Sequence, residues 1–331
     1  MASKRALSAG EGLRLHWPEY MMEAAESGLY LFSACAVATL LWHPASPIQP
    51  YLPSDAVRRI LMGMAMGAAI VGIVRSPWGK QSGTHFNPAI TFTFYRLGKV
   101  ASWDAVFYCA GQFLGAVAGV ALAALVLQGA PAHKAVRYAA TLPGAYGDFA
   151  AFFAELSISF FLMIAILVAS NHKILAPYTR YFAAFLIAAY IAFESPVSGM
   201  SANPARTFGP AFWGSYWHAI WIYFLAPPLG MLGAAEVFLL ARQGKRPYCA
   251  KLDHQNDKRC IFCHSGCDPA AATRGNTIRE ETTPDRVRPS PGGCRRECGA
   301  WREADAPRGF AAAMRFTPVP PRPGFGRNCA A

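Results

Sequence analysis

Apolar residues gather into six stretches, approximately Met21 to Trp42, Val57 to Val74, Trp103 to Leu127, Phe149 to Ser170, Tyr178 to Pro196 and Trp217 to Leu240. Each can cross roughly 30 Å of hydrocarbon at about 1.5 Å per residue, so the pattern predicts six membrane-spanning helices. The fifth is the most constrained, because Arg180 has to sit at its end. Gly and Ala are dense within these stretches, as in Gly63-Met-Ala-Met-Gly67, and small residues let helix backbones approach closely. Residues 1–19 precede the first span as a separate segment. Apolar patterning stops near Gln243, after which Arg, Pro and Gly dominate and large apolar residues are few; residues 243–331 are therefore expected to form a disordered basic tail.

The apolar region, residues 20–242, carries one phrase twice. Ser82-Gly-Thr-His-Phe-Asn-Pro-Ala-Ile-Thr-Phe92 recurs as Ser198-Gly-Met-Ser-Ala-Asn-Pro-Ala-Arg-Thr-Phe208, with Ser, Gly, Asn, Pro, Ala, Thr and Phe in register. This divides the region into halves of about 20–128 and 149–242. Asn is a favoured N-cap and Pro a favoured first helical residue, so Asn87-Pro88-Ala89 and Asn203-Pro204-Ala205 each start a helix, one too short to span a bilayer. The third and sixth spans echo each other as well: Phe107-Tyr108 with Leu114-Gly115 parallels Tyr223-Phe224 with Leu229-Gly230. A repeat with a half-length helix in each half points to a transport protein with its site near the membrane midplane.

Charge fixes the expected orientation. Lys4, Arg5, Arg14, Arg96, Lys99, Lys173, Arg180, Arg242, Lys245 and Arg246 share the side of the two termini, against Arg58, Arg59, Lys134 and Arg137 on the other. The imbalance places both termini in the cytoplasm, with the two phrases entering from opposite sides. A net charge of +12 would raise nucleic acid as a partner for a soluble domain; here the cations sit in loops and tail, where membrane lipid accounts for them and nucleic acid is not expected.

Several side chains have an expected part in a pore. An Asn whose side-chain carbonyl caps a helix leaves its amide hydrogens for a cavity, so Asn87 and Asn203 offer donors to a central water and interrupt a proton wire. Carbonyls of Gly83, Thr84, His85 and Phe86, and of Gly199, Met200, Ser201 and Ala202, are expected as acceptors along the file. Arg206 lies one helical turn after Asn203 and would repel cations at the outer mouth; its repeat partner is Ile90, so only that mouth is charged. Glu23 (or Glu26) and Glu155 are acids within apolar spans and are assigned to holding loop backbone amides. His85 is either pore-lining or a packing histidine.

These residues resemble the aquaporin, or major intrinsic protein, family over about Tyr20 to Arg242. The resemblance implies an all-α integral membrane fold of six transmembrane helices and two half-helices in an inverted repeat. It also implies a homotetramer with one path per subunit, no cofactor, no enzymatic activity, and passage of water or small neutral solutes. By the same likeness the constriction around Arg206 is completed by Met66, Ile191 and Met200. All three are apolar, which could admit solutes such as glycerol. Thr207 and the pair Tyr223-Phe224 instead resemble water channels, and water is the expected solute. A bacterial inner membrane is the expected location.

Seven of nine cysteines lie beyond Tyr248. Cys260-Ile-Phe-Cys263-His264 has a haem-attachment spacing; a zinc clip from Cys260, Cys263, Cys267 and Cys249 or a His matches ligand preference better than haem, and reactive thiols without metal are the expected state. A metal-binding or redox membrane protein acting through this tail is thus the alternative function of another class. An adhesive membrane protein with an occluded pore is a further one.

Overall fold

The computed structural model describes residues 8–263. Among these residues ten α-helices follow in order: α1 (Ala9–Trp42), α2 (Asp55–Arg75), α3 (Pro77–Ser82), α4 (Pro88–Arg96), α5 (Ser102–Val126), α6 (Gly147–Ser170), α7 (Thr179–Phe193), α8 (Ser195–Ser198), α9 (Pro204–Gly214) and α10 (Ile220–Ala241). Among the described residues, α1, α2, α5, α6 and α10 are long and apolar enough to cross a membrane. The fifth span, α7, has only 15 residues, about 22 Å of helix, because the chain breaks at Glu194 and turns through α8 into the second loop. The expected continuation to Pro196 is therefore a separate short helix and not part of the span.

The first span also departs from its expected limits. It begins not at Met21 but at Ala9, about 18 Å of helix earlier. Ser8 and Glu11 close a reciprocal capping box: the Ser8 hydroxyl accepts from the Glu11 N–H, and Glu11 Oε2 accepts from the Ser8 N–H at 2.9 Å. The extension is polar, yet it is buried on one side. His16 Nδ1 lies 2.8 Å from Asp104 Oδ1, and the Tyr20 hydroxyl donates to the same oxygen at 2.7 Å, tying the extension to the start of α5.

Three helix pairs carry the bundle: α1 with α5, α6 with α10, and α2 with α7. The first two are repeat equivalents and use equivalent glycines. A methyl group at Gly115 would overlap the Ala24 carbonyl, and one at Gly230 would overlap the Leu156 carbonyl. Lipid provides no hydrophobic force between helices, so this close van der Waals approach does the joining. Between the long helices lie α4, packed on α10, and α9, packed on α5. Both half-helices begin at their Asn, and one apolar core surrounds them.

Residues 249–263 correct the expectation of a tail without structure. They have no regular secondary structure, yet Cys249, Ala250, Lys251, Leu252, Asp253, Cys260 and Ile261 are buried, and Ala250 and Leu252 belong to the main core. Composition failed here because the contacts are made with the bundle rather than within the segment. Cys267 and the remainder of the tail lie outside the described residues.

Candidate functional site

Each Asn closes the N-terminus of its half-helix. Asn87 Oδ1 accepts from Ala89 N at 2.9 Å, and Asn203 Oδ1 accepts from Ala205 N at 3.0 Å and Arg206 N at 3.2 Å. The amide groups cross between the halves: Asn87 Nδ2 donates to Ala202 O and Asn203 Nδ2 donates to Phe86 O, both at 2.8 Å. One hydrogen of each carboxamide is thereby engaged, and one is left for the cavity. This modifies the expectation that both point into the pore. Phe86 O and Ala202 O, two of the expected acceptors, each spend one of their two lone pairs on this crossing.

The loops before each Asn run through left-handed backbone. Positive φ occurs at Gly83, Thr84 and Phe86, and again at Gly199, Met200 and Ala202. For a residue with a Cβ that region costs roughly 1–2 kcal/mol, so something must hold the loop. Two acids do so. Glu23 Oε1 accepts from His85 N at 2.8 Å, and its Oε2 accepts from Phe86 N at 2.6 Å and Gln112 Nε2 at 2.7 Å. Glu155 Oε1 accepts from Ser201 N and the Ser198 hydroxyl, and its Oε2 from Ala202 N, all at 2.7 Å. Both acids are fully buried, where a carboxylate without such donors would be prohibitively costly. Glu26, one turn along α1, accepts instead from the Ser82 hydroxyl at 2.8 Å.

Several of these supports were not anticipated. Tyr108 donates its hydroxyl to Ser82 O and Tyr223 to Ser198 O, at the first residue of each repeated phrase. The echo between the third and sixth spans was the available signal for this pair. Tyr30 of α1 also went unread: it lines the spaces on both sides of the paired Asn residues, with its ring 5.4 Å from that of Phe86.

Two spaces meet at the junction. On the side away from the termini is a vestibule of about 420 Å³, whose wall includes Met66, Ile191, Gly199, Met200 and Arg206. The four residues expected at the constriction are thus neighbours. Arg206 is buried and donates to Ala139 O at 2.7 Å, the last of three successive residues with positive φ. On the other side is a chamber of about 40 Å³, lined by Thr84, His85, Asn87, Ser201, Asn203 and Leu252 among others. A water needs roughly 10–15 Å³ by this measure, so the chamber holds about three.

Leu252 belongs to the tail, and its presence in that chamber was not foreseen. Its backbone N–H donates to Gly83 O at 3.1 Å, engaging one lone pair of another expected acceptor. His85 Nε2 lies 2.8 Å from Ala250 O, and Nδ1 lies 3.1 Å from Thr91 Oγ1. A carbonyl can only accept, so Nε2–H donates to Ala250 and the neutral ring accepts from Thr91. Phe262 stacks on the same imidazole at 5.3 Å. Two ion pairs fasten the segment further: Arg259 to Glu19 on α1 and Asp253 to Arg180 on α7, each at 2.7 Å. Lys251 is buried there and donates to Arg259 O at 3.0 Å; burial lowers its pKa, opposed by the nearby thiols of Cys260, Cys249 and Cys263.

Comparison with known proteins agrees with this architecture. The family model described as Major intrinsic protein matches residues 14–238. Aquaporin NIP2-3 of Zea mays is 30% identical over 235 residues, 70% of this chain and 72% of that one. Aquaporin NIP1-1 of Oryza sativa subsp. japonica is 28% identical over 218 residues, 66% of this chain and 72% of that one. Both are plant proteins, so the expected bacterial membrane gains no support. An aquaglyceroporin from Plasmodium falciparum superposes with a TM-score of 0.56 at 18% identity, covering 67% of this chain and 95% of its own, which shows the fold. With two half-helices crossed at their capping Asn residues inside a bundle of membrane helices, the chain belongs to the major intrinsic protein family.

Proposed function

We propose that the chain is a passive channel for water and small uncharged solutes, working as a homotetramer of independent paths. The observation that carries this is the pair of carboxamides, Asn87 and Asn203, side by side in the wall of the central chamber, each with one hydrogen left for it. A water there gives its lone pairs to both donors and turns its hydrogens outward, so protons cannot pass along a continuous wire. The two half-helix N-termini, each roughly half a positive charge, and the guanidinium of Arg206 raise the barrier for cations. Neutral molecules are left a path.

The outer wall favours a solute range wider than water. Met66, Ile191 and Met200 face the same vestibule as Arg206, presenting flexible apolar surface beside one strong donor group. Such a rim suits molecules with hydroxyl and apolar faces, glycerol among them. The positions that spoke for water alone are engaged elsewhere. The Thr207 hydroxyl lies 2.7 Å from those of Thr141 and Ser201, Tyr223 is bound to Ser198 O, and Phe224 packs on Phe113.

With both termini in the cytoplasm, the orientation that the cation imbalance favours, the Leu252 chamber opens inward and the Arg206 vestibule outward. The test is the rate of volume change of proteoliposomes in water and glycerol gradients. The full chain carrying Leu252→Gly, which clears the chamber, should respond faster than empty liposomes in both. Rates equal to empty liposomes would reject the channel, and a response to water alone would reject the wider range. Light scattering of the purified protein in detergent checks the tetramer.

A further inference from the structure

The segment that puts Leu252 in the chamber wall has little to hold itself together. Residues 249–263 contain no helix or strand, and their buried apolar side chains are few. Short irregular segments of this kind generally need a crosslink or a metal. The segment does contain four donor atoms in one place. Sγ of Cys249 and Cys260 are 3.4 Å apart, Nε2 of His254 and Sγ of Cys263 are 3.0 Å apart, and all four lie within 4.8 Å of one another.

These separations decide between crosslinks. A disulfide requires sulfurs about 2.05 Å apart, well short of 3.4 Å. A tetrahedral zinc ion with Zn–S near 2.3 Å and Zn–N near 2.0 Å sets its ligand atoms roughly 3.5–3.8 Å apart, in the middle of the observed range. Three sulfurs and one imidazole with a Cys-x2-Cys step are a donor set for zinc rather than for a hard cation such as magnesium. The sequence left the fourth ligand open between Cys249 and a histidine; here Cys249 and His254 both join the cluster, and Cys267 lies outside the described residues. The surroundings suit the resulting charge. Three thiols release their protons on binding, leaving a cluster of one net negative charge, and the buried Lys251 side chain, which donates to Arg259 O, lies beside the third ligand. The Lys251 backbone N–H also points at Cys249 Sγ, 3.5 Å away.

We propose that Cys249, His254, Cys260 and Cys263 bind a zinc-class divalent cation, and that the metal fastens residues 249–263 as a stopper in the channel, so that metal loss opens it. Between the first two ligands the chain passes Ala250 to His85, Leu252 into the chamber and Asp253 to Arg180. Arg259, beside the third ligand, holds Glu19. Closing the four ligands on one ion shapes this loop so that Leu252 projects between the paired Asn residues and the channel mouth. Without the metal the loop must hold that shape by two ion pairs and a few backbone bonds. The binding half of the proposal stands on the cluster alone; the gating half rests on the channel reading above.

The test uses the full chain. After dialysis against zinc and then buffer, elemental analysis of the purified protein should find one zinc per chain. Cobalt in its place should give a thiolate-to-cobalt charge-transfer band. Both should be lost in Cys260→Ser, Cys263→Ser together; equal metal in the two proteins, or none in either, overturns the site. In proteoliposomes, a membrane-permeant zinc chelator should raise water flow by about tenfold or more, to the level of Leu252→Gly, and added zinc should reverse it, as expected when a small open population becomes the major one. Flow unaffected by chelation while Leu252→Gly flows faster overturns the metal as fastener. A zinc-loaded chain that already flows like Leu252→Gly overturns the stopper. No flow from Leu252→Gly or from the chelated chain refutes the channel reading, and the gating with it, while the metal content still decides the site. Response to a thiol reductant and not to the chelator assigns the crosslink to a disulfide and overturns the metal.

Discussion

Replacing Glu155 by Gln isolates the acid that holds the second loop. The carboxylate accepts three hydrogen bonds, from Ser198 Oγ, Ser201 N and Ala202 N. An amide has one acceptor oxygen, so the best arrangement keeps Ser198 and Ser201 and turns an NH2 toward the Ala202 N–H. That loses one charge-assisted bond and strands a buried donor, about 3–5 kcal/mol in all. Relief from burying a charge offsets part of this. At the ratio typical of domains of 150–250 residues, about 2–4 °C per kcal/mol, the melting temperature in detergent should fall by roughly 6–20 °C. Permeability should fall with it, because Ala202 is the residue whose carbonyl receives Asn87. The control is Glu236→Gln, which breaks a half-exposed pair with Arg96 and should cost under about 1 kcal/mol. Glu155→Gln melting within 2 °C of the control, as an order-of-magnitude criterion, with unchanged permeability, would refute the role given to this acid.

Other perturbations test separate parts of the path. Asn203→Asp keeps the helix cap but sets a carboxylate oxygen against Phe86 O; water flow should fall severalfold, and unchanged flow with unchanged proton leak would contradict the donor mechanism. Arg206→Ala should leave water flow in place in the Leu252→Gly background and admit a cation or proton leak, read with a pH-sensitive dye in the vesicles. Gly230→Val should prevent α6 and α10 from meeting and lower the yield of folded protein sharply, whereas Gly72→Ala, at a position with open space around it, should not; equal yields would discount the close-contact argument.

The repeated phrase made the frame legible because its chemistry is local. An Asn cap followed by Pro starts a helix wherever it occurs, and two copies in register imply that the starts face each other. The acids were legible for a different reason: a carboxylate inside an apolar run has to have partners, and backbone amides of a non-helical loop need acceptors. What the sequence concealed depends on contacts between distant segments. The crossing of Asn87 and Asn203 cannot be read from either phrase alone, since each looks complete as a cap. The first turns of α1 carry Arg14, His16 and Glu19 and so fail a hydropathy test, although Ser8 and Glu11 already had capping-box spacing. Leu252 was hidden most thoroughly. One apolar residue in a basic, Gly- and Pro-rich stretch has no periodicity, and its burial comes from a chamber built by residues more than 45 positions away.

The two halves share one loop tie, and the place where they differ decides what each mouth can do. In the second half the Ser201 hydroxyl reaches Thr207 Oγ1 at 2.7 Å; in the first half the equivalent positions are His85 and Thr91, with Nδ1 to Oγ1 at 3.1 Å. The tie is conserved in geometry, but an imidazole extends beyond it where a hydroxyl stops. Its second nitrogen donates to Ala250 O and its face meets Phe262, so the residue that breaks the symmetry on this side is the one on which the chain's own tail rests. On the other side the symmetry breaks at the residue after Ala205, where Arg206 stands opposite Ile90 in the repeat, and there the result is a charged vestibule. A two-fold scaffold therefore carries two unlike ends through the few positions at which the repeated phrases differ, these two among them. If His85→Ser, which restores the hydroxyl of the second half, left the tail seated and the flow of the zinc-loaded chain unchanged, this division of labour would be wrong; the expected result is a stopper that loses its backbone anchor and its stacking partner together, with flow rising toward that of Leu252→Gly.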